Sequence, residues 1–204
     1  MFALVNKSDN SITQMLSGNQ GIQIGDLKYP RAIYTLWTEA ERNAIGIYTV
    51  EYDDSNKKDE KWYFNTNQSY AFANNKVTAS YGSATARAHA DTTWTAEDED
   101  NGLGTEGEIA ARGLKYDLIR TVKAQAAGIL AETDWYITRK SEKNTAIPSS
   151  ITTHRDAVRS KQAAMETAIT NASDTAALET LYTFTKQDDG SIARPLGELP
   201  TLKL

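Results

Sequence analysis

The chain has no cysteine among its 204 residues. That excludes a disulfide framework, thiol catalysis and any cysteine-ligated metal. Histidine is nearly as scarce: His89 and His154 are the only two. His89-Ala-Asp91 places a carboxylate near one of them, but no nucleophile accompanies it at a recognisable spacing, so a catalytic triad has no support. No apolar run reaches about 18 residues, so no membrane-spanning helix is expected. Met1-Phe-Ala-Leu-Val-Asn-Lys7 lacks the basic start and long apolar stretch of a signal peptide, and synthesis in the cytosol is the expectation. Basic charge is short as well. Twenty-two Lys and Arg face 27 Asp and Glu, giving a net charge of −5, which argues against broad nucleic-acid or anionic-membrane binding.

What is present is enough to fold. With 40% hydrophobic and 9% aromatic residues, the chain can fill a core, and its length suits one large domain or two small ones. Phe2-Ala-Leu-Val5 reads as a compact strand. Thr38-Glu-Ala-Glu41 is a capping-box spacing and Gly46 a stop, so a short helix is expected over 38–45. Ile47–Tyr52, Lys61–Phe64 and Ser69–Ala73 alternate like half-buried strands. Asn74-Asn75 suits the positive φ of a two-residue hairpin turn. Asp53 to Glu60 reads as a solvated charged loop. Tyr48, Tyr52, Trp62, Tyr63, Tyr70 and Tyr81 crowd this region, as core or cross-strand pairs or as a face for carbohydrate or protein.

From Ala84 the residues become small, and Glu97-Asp-Glu-Asp100 with its glycines marks the expected boundary. Glu97-x-Glu99-x-Asn101-Gly102 with Glu108 echoes a calcium loop, but position 1 is not Asp and no leading helix is evident; a solvated acidic linker is the better reading. Gly102-x-Gly104 and Gly104-x-x-Gly107 are too short and follow no strand, so a nucleotide loop is not expected.

Beyond the linker, Ile109, Leu114, Leu118, Val122, Ala126 and Ile129 are expected to form a helical stripe. Thr133 and Asp134 weaken it by offering the backbone competing bonds. Ile147-Pro148-Ser149-Ser150 is a fresh helix start, followed by Ile151, Val158, Met165 and Ala172 seven apart. The spacing predicts an αα-hairpin of helices over 105–134 and 148–171, with Trp135 packed in its elbow. His154 falls on the apolar stripe and is expected to be packed and hydrogen-bonded. Arg155 and Arg159, at i, i+4, share a face, and a pair with Asp134 or Glu132 is the expectation for them. Ser173-Asp174 restarts a short helix through Leu178 and Leu181. Tyr182–Thr185, Asp189-Gly190 and Ile192 suggest a small hairpin before a Pro-rich tail.

Leu130-x-x-Thr133-Asp134-Trp135, Arg139, Ile147-Pro148 and His154-Arg155-x-x-Val158-Arg159 together resemble the C-terminal segment of tailed-phage tail assembly chaperones and tail-fibre-associated proteins. His154 stands where that pattern usually has Tyr. The resemblance covers 130–159 closely and implies a non-enzymatic structural component of a phage tail. It implies other tail proteins as partners, a homo-oligomer in a cyclic assembly, no cofactor, no metal, no nucleic acid and no membrane. The implied location is the virion tail, after synthesis in the host cytoplasm. A transient assembly chaperone and a carbohydrate-binding module stay open as alternatives.

The expected architecture is α+β: a β-rich, antiparallel docking domain over 1–95, a helical hairpin domain over 96–183 and an extended C-terminal arm over 184–204. Met1–Val5 and Arg194–Leu204 are expected to lie against another subunit. The candidate partner-contact residues are Trp135, Arg155, Arg159, Arg194, Leu196 and Leu199.

Overall fold

The computed structural model describes residues 1–202, and the chain is α+β, strands first and long helices after. It divides into two compact units, Met1–Thr85 and Ala86–Leu204.

In the first unit, β1 (Phe2–Asn6), β2 (Ser11–Leu16), β5 (Ile47–Asp53), β7 (Ser69–Ala73) and β8 (Lys76–Ser80) form a five-stranded sheet ordered β2-β1-β5-β8-β7. Between β2 and β5 come the small hairpin of β3 (Ile22–Ile24) with β4 (Leu27–Tyr29), then helices α1 (Ile33–Leu36) and α2 (Glu39–Ala44). The short strand β6 (Tyr63–Phe64) precedes β7. The sheet is antiparallel apart from β5 and β8, which run parallel with Val50 opposite Val77. Asn74 and Asn75 both take positive φ, 52° and 61°, closing the β7–β8 hairpin as their spacing predicts.

Ala3 and Val5, Tyr48 and Val50, and Val77 and Ala79 alternate along their strands and bury one sheet face. Phe2, Leu4 and Ile47 point to the other, where Leu16, Ile33 and Tyr34 cover them. β1 is apolar at consecutive positions because both of its faces are covered. This corrects the expected N-terminal arm: Met1–Val5 is not laid out for another subunit, since Ala3 is fully buried in the middle of its own sheet.

α2 carries the capping box foreseen at Thr38 and Glu41, with the Thr38 amide donating to Glu41 Oε2 at 2.7 Å. Gly46, at φ 84°, brings its backbone against β1; a Cβ there lies 2.6 Å from the Val5 carbonyl oxygen. Half of the crowded aromatics are internal: Tyr48, Trp62 and Tyr63 are buried, and Tyr48 packs on Phe72 with ring centroids 4.6 Å apart, while Tyr52 is exposed. Asp53 to Glu60 is exposed throughout.

The units divide within β9 (Thr85–Ala86), ahead of the boundary expected at residue 95. The reason is that residues 87–91 close the start of a helix. That helix is α4 (Leu114–Ala131). Leu114 and Lys115 donate their amides to the carbonyls of Ala88 and His89, and the Gly113 amide donates to Asp91 Oδ1 at 2.7 Å. Thr175 donates its hydroxyl to the Arg87 carbonyl at 2.6 Å. Asp91 thus serves the helix start rather than His89.

β10 (Thr92–Thr93) and β11 (Ile109–Ala111) pair around α3 (Ala96–Asp100), so the acidic segment is solvated as expected but is a helix inside the second unit and not a linker. Helices α5 (Asp134–Lys143), α6 (Ser149–Asn171) and α7 (Thr175–Tyr182) come after α4. Leu118, Val122 and Ala126 of α4 pack on α6, whose Ile151, Val158, Met165 and Ile169 are buried. The seven-residue spacing of the sequence is the spacing of this seam. The first arm of the hairpin is shorter than expected, starting at Leu114, and residues 134–143 form a third helix where a loop was expected.

β12 (Thr185–Lys186) and β13 (Ile192–Ala193) form the small C-terminal hairpin. The segment after β13 is folded against its own chain, which corrects the arm expected over 184–204. Leu196 is buried, its amide donates to the Leu181 carbonyl, and its carbonyl accepts from Lys161 Nζ at 2.8 Å. Lys203 and Leu204 lie outside the described residues.

Candidate functional site

The break between α4 and α5 is built by one side chain from α6. The α4 ladder ends at Leu130, whose carbonyl faces out at the negative end of the helix dipole. Thr133 turns the chain with φ −115° and ψ 7° and is 1% exposed. Arg155 reaches across from α6: Nη1 donates to the Leu130 carbonyl and to Thr133 Oγ1, each at 2.7 Å, while Nη2 lies 2.9 Å from Asp134 Oδ1. Asp134 is one of the two partners expected for Arg155 and Arg159; Arg159 takes neither and pairs with Asp156 on its own helix. One planar guanidinium therefore satisfies the end of α4, the turn and the acidic start of α5. Next to it, His154 is buried as expected, but its Nε2 has no hydrogen-bond partner among the described residues.

Because Arg155 and Thr133 fill the elbow, Trp135 does not. It is 52% exposed, correcting its expected place in the core. The indole lies against Tyr136 with ring centroids 3.9 Å apart, and the Arg139 guanidinium carbon stands 4.7 Å from the Trp135 ring and 5.2 Å from Tyr136. The Trp135–Arg139 spacing of four residues brings the cation over the rings. α5 has no buried residue, and Ile137 is exposed on it. Asn144 closes its end in the left-handed conformation, donating to the Lys140 carbonyl at 2.9 Å, with Lys140 and Lys143 in the last turn. A ten-residue helix is marginal in water on its own. This one is held by its Asn144 cap, end charges and the Arg155 clamp, with apolar surface left uncovered.

The remaining candidates separate into two groups. Arg159 pairs with Asp156 at 3.3 Å and joins Leu130, Gln162 and Glu166 around an open surface concavity of about 560 Å³. Arg194 is largely covered, between the rings of Tyr182 and Phe184 and 2.7 Å from Glu198. Leu199 lines a shallow groove of about 410 Å³ with Gln125, Gly128 and Ile129 of α4. Arg155 and Leu196 are internal, so they shape the unit and offer little to a partner. Half-buried Tyr136 and exposed Ile137 and Lys140 also lie on α5, outside the candidate partner-contact residues; the expected loop hid their helical spacing. Among the described residues, no group of three or more acidic or histidine side chains is placed to hold a metal, and no helix is long and apolar enough to cross a membrane.

No known family model, curated protein or solved structure matches the chain.

Proposed function

We propose that this protein is a structural component of a bacteriophage tail, acting through protein–protein contacts without catalytic turnover. The observation that carries the contact reading is the exposed Trp135, stacked on half-buried Tyr136 and Arg139, on a helix with no fully buried residue. Trp, Tyr and Arg supply most binding energy at protein interfaces, where their large, stiff side chains desolvate on docking. The tail assignment is supported by the resemblance of 130–159 to tail assembly chaperones and tail-fibre-associated proteins, and α5 lies inside that stretch. The proposed partners are other tail proteins and further copies of this chain in a cyclic arrangement.

Mass spectrometry of purified virions from the phage that encodes the chain tests this reading. Its peptides are expected in intact particles. Their absence from particles, with the protein abundant in the infected lysate, replaces a virion role with that of a transient assembly chaperone.

A further inference from the structure

α3 is fixed more firmly than its size explains. It has no buried residue, yet both of its ends are closed. Asp98 Oδ2 accepts from the Thr95 amide at 2.9 Å and from the Thr95 hydroxyl at 2.7 Å, completing a capping box. At the other end Gly102, at φ 71°, donates to the Glu99 carbonyl, and Leu103 donates to the Asp98 carbonyl, both at 2.9 Å. These are the two reciprocal bonds that seal a helix C-terminus. Glu99 Oε2 takes the Glu106 amide at 2.9 Å. Asp98 and Glu99 thus hold the element together. The carboxylates of Glu97 and Asp100, three apart on one side of the helix, make no hydrogen bond or ion pair among the described residues, and Leu103 beside them is 60% exposed. The outcome is a stiff acidic knob with an apolar tip.

α5 has the complementary pattern. Trp135, Arg139 and Lys143 recur every four residues with Tyr136 and Lys140 alongside, an aromatic strip whose three cations outnumber the one carboxylate on that face, Glu142. No ion pair joins α3 to α5 within the chain among the described residues. We propose that α3 of one copy docks on α5 of the next. Leu103 then covers Trp135, while Glu97 and Asp100 face Lys140 and Lys143. Like-charged α5 strips repel one another and so do α3 knobs, so the contact joins two different surfaces and runs head to tail, closing into a ring or continuing as a filament. A contact of this size is below the roughly 1,200 Å² of a stable interface, so association is weak and driven by local concentration. The proposal rests on the functional reading for α5 as a contact surface and for repeated copies of the chain, and adds which surface of the next copy α5 meets.

Sedimentation velocity of the full chain at rising concentration tests it. Species heavier than the monomer are expected to grow with concentration at low ionic strength and to shrink at high salt. Lys140→Glu/Lys143→Glu and Glu97→Lys/Asp100→Lys should each weaken association about tenfold or more, since several exposed charge pairs become repulsive together. Mixing the two variants should restore it, because each supplies the surface that the other has inverted. Circular dichroism checks that the variants fold; Lys140→Gln/Lys143→Gln gives the same loss at smaller amplitude if the reversal melts α5. A chain that stays monomeric at every concentration overturns the proposal, as do variants that associate normally or a mixture without rescue. So does a monomer whose tryptophan fluorescence is quenched by a single-stranded oligothymidylate in the parent but not in Trp135→Phe, which assigns the strip to nucleic acid. Virion mass spectrometry is independent of all these results.

Discussion

Arg155 Nη1 and Thr133 Oγ1 are 2.7 Å apart, and both residues are buried where α4 gives way to α5. The hydroxyl also donates to the Leu130 carbonyl at 3.0 Å, so the guanidinium, the hydroxyl and the carbonyl form a closed set. Replacing Arg155 with Ala takes a charged donor away from both oxygens and opens a space behind them. The expected cost is about 2–4 kcal/mol. Arg155→Lys should recover little of it, because an ammonium lacks the planar fork that reaches three acceptors. Chemical denaturation of the three proteins measures this, and a Lys variant as stable as the parent contradicts it.

Trp135→Ala should behave in the opposite way. The ring is half in solvent, and its contacts with Tyr136 and Arg139 amount to about 1 kcal/mol at an exposed site. The melting temperature is expected to fall by no more than about 4 °C, while incorporation into particles is lost. A fall several times larger returns Trp135 to the core.

Acid should loosen the start of α4. The Gly113 amide and then the Arg112 guanidinium hold the Asp91 carboxyl below the ordinary carboxylate range. Since the folded state has the lower pKa, the contribution to stability is present above the unfolded value of about 3.9 and is lost as pH falls through the depressed one. Glu41, Asp98 and Asp174 are lowered in the same direction, each first by a backbone N–H at a helix start. Stability should therefore decline below about pH 4. Asp91→Asn should be less stable at neutral pH, with the gap to the parent narrowing in acid. Urea unfolding at stepped pH reads both trends, and a gap that is constant with pH refutes the assignment.

Deleting residues 1–5 should unfold the first unit, since it removes the strand between β2 and β5 and the buried Ala3 and Val5. Amide NMR spectra are expected to lose dispersion for residues 6–85 and keep it for α4 and α6. Retained dispersion throughout contradicts the central place of β1.

The features legible in the sequence were those set by neighbours in the chain. Thr38 and Glu41 lie one helical turn apart, and the Asn74-Asn75 turn needs only its own backbone, so both are where their spacing puts them. The α6 stripe was legible for the same reason. Thr95-x-x-Asp98 carries the same capping signal as Thr38-x-x-Glu41, but four consecutive acids repel along a helix and point to a loop; the two sealed ends outweigh that repulsion. Trp135 depended on something the local pattern does not carry, namely that Arg155 already occupies the elbow. The apolar run of β1 has the same ambiguity. An arm seeking a partner and a strand covered on both faces read alike until the long-range pairing with β5 is known.

The parallel pairing of β5 with β8 has a kinetic consequence. β1 needs β5, and β5 needs a strand that leaves the ribosome later still, after the long excursion through residues 54–75. Until Ser80 has emerged, the nascent chain carries an apolar strand whose hydrogen-bonding edges are only partly matched. Long-range strand pairings of this kind close slowly, whereas each turn of α4 and α6 forms from contacts within its own helix. Refolding from denaturant should therefore show a fast helical phase and a slower one for the sheet. Between the two phases, Phe2–Val5 is the segment most exposed to misassembly and the natural place for a cellular folding factor to hold.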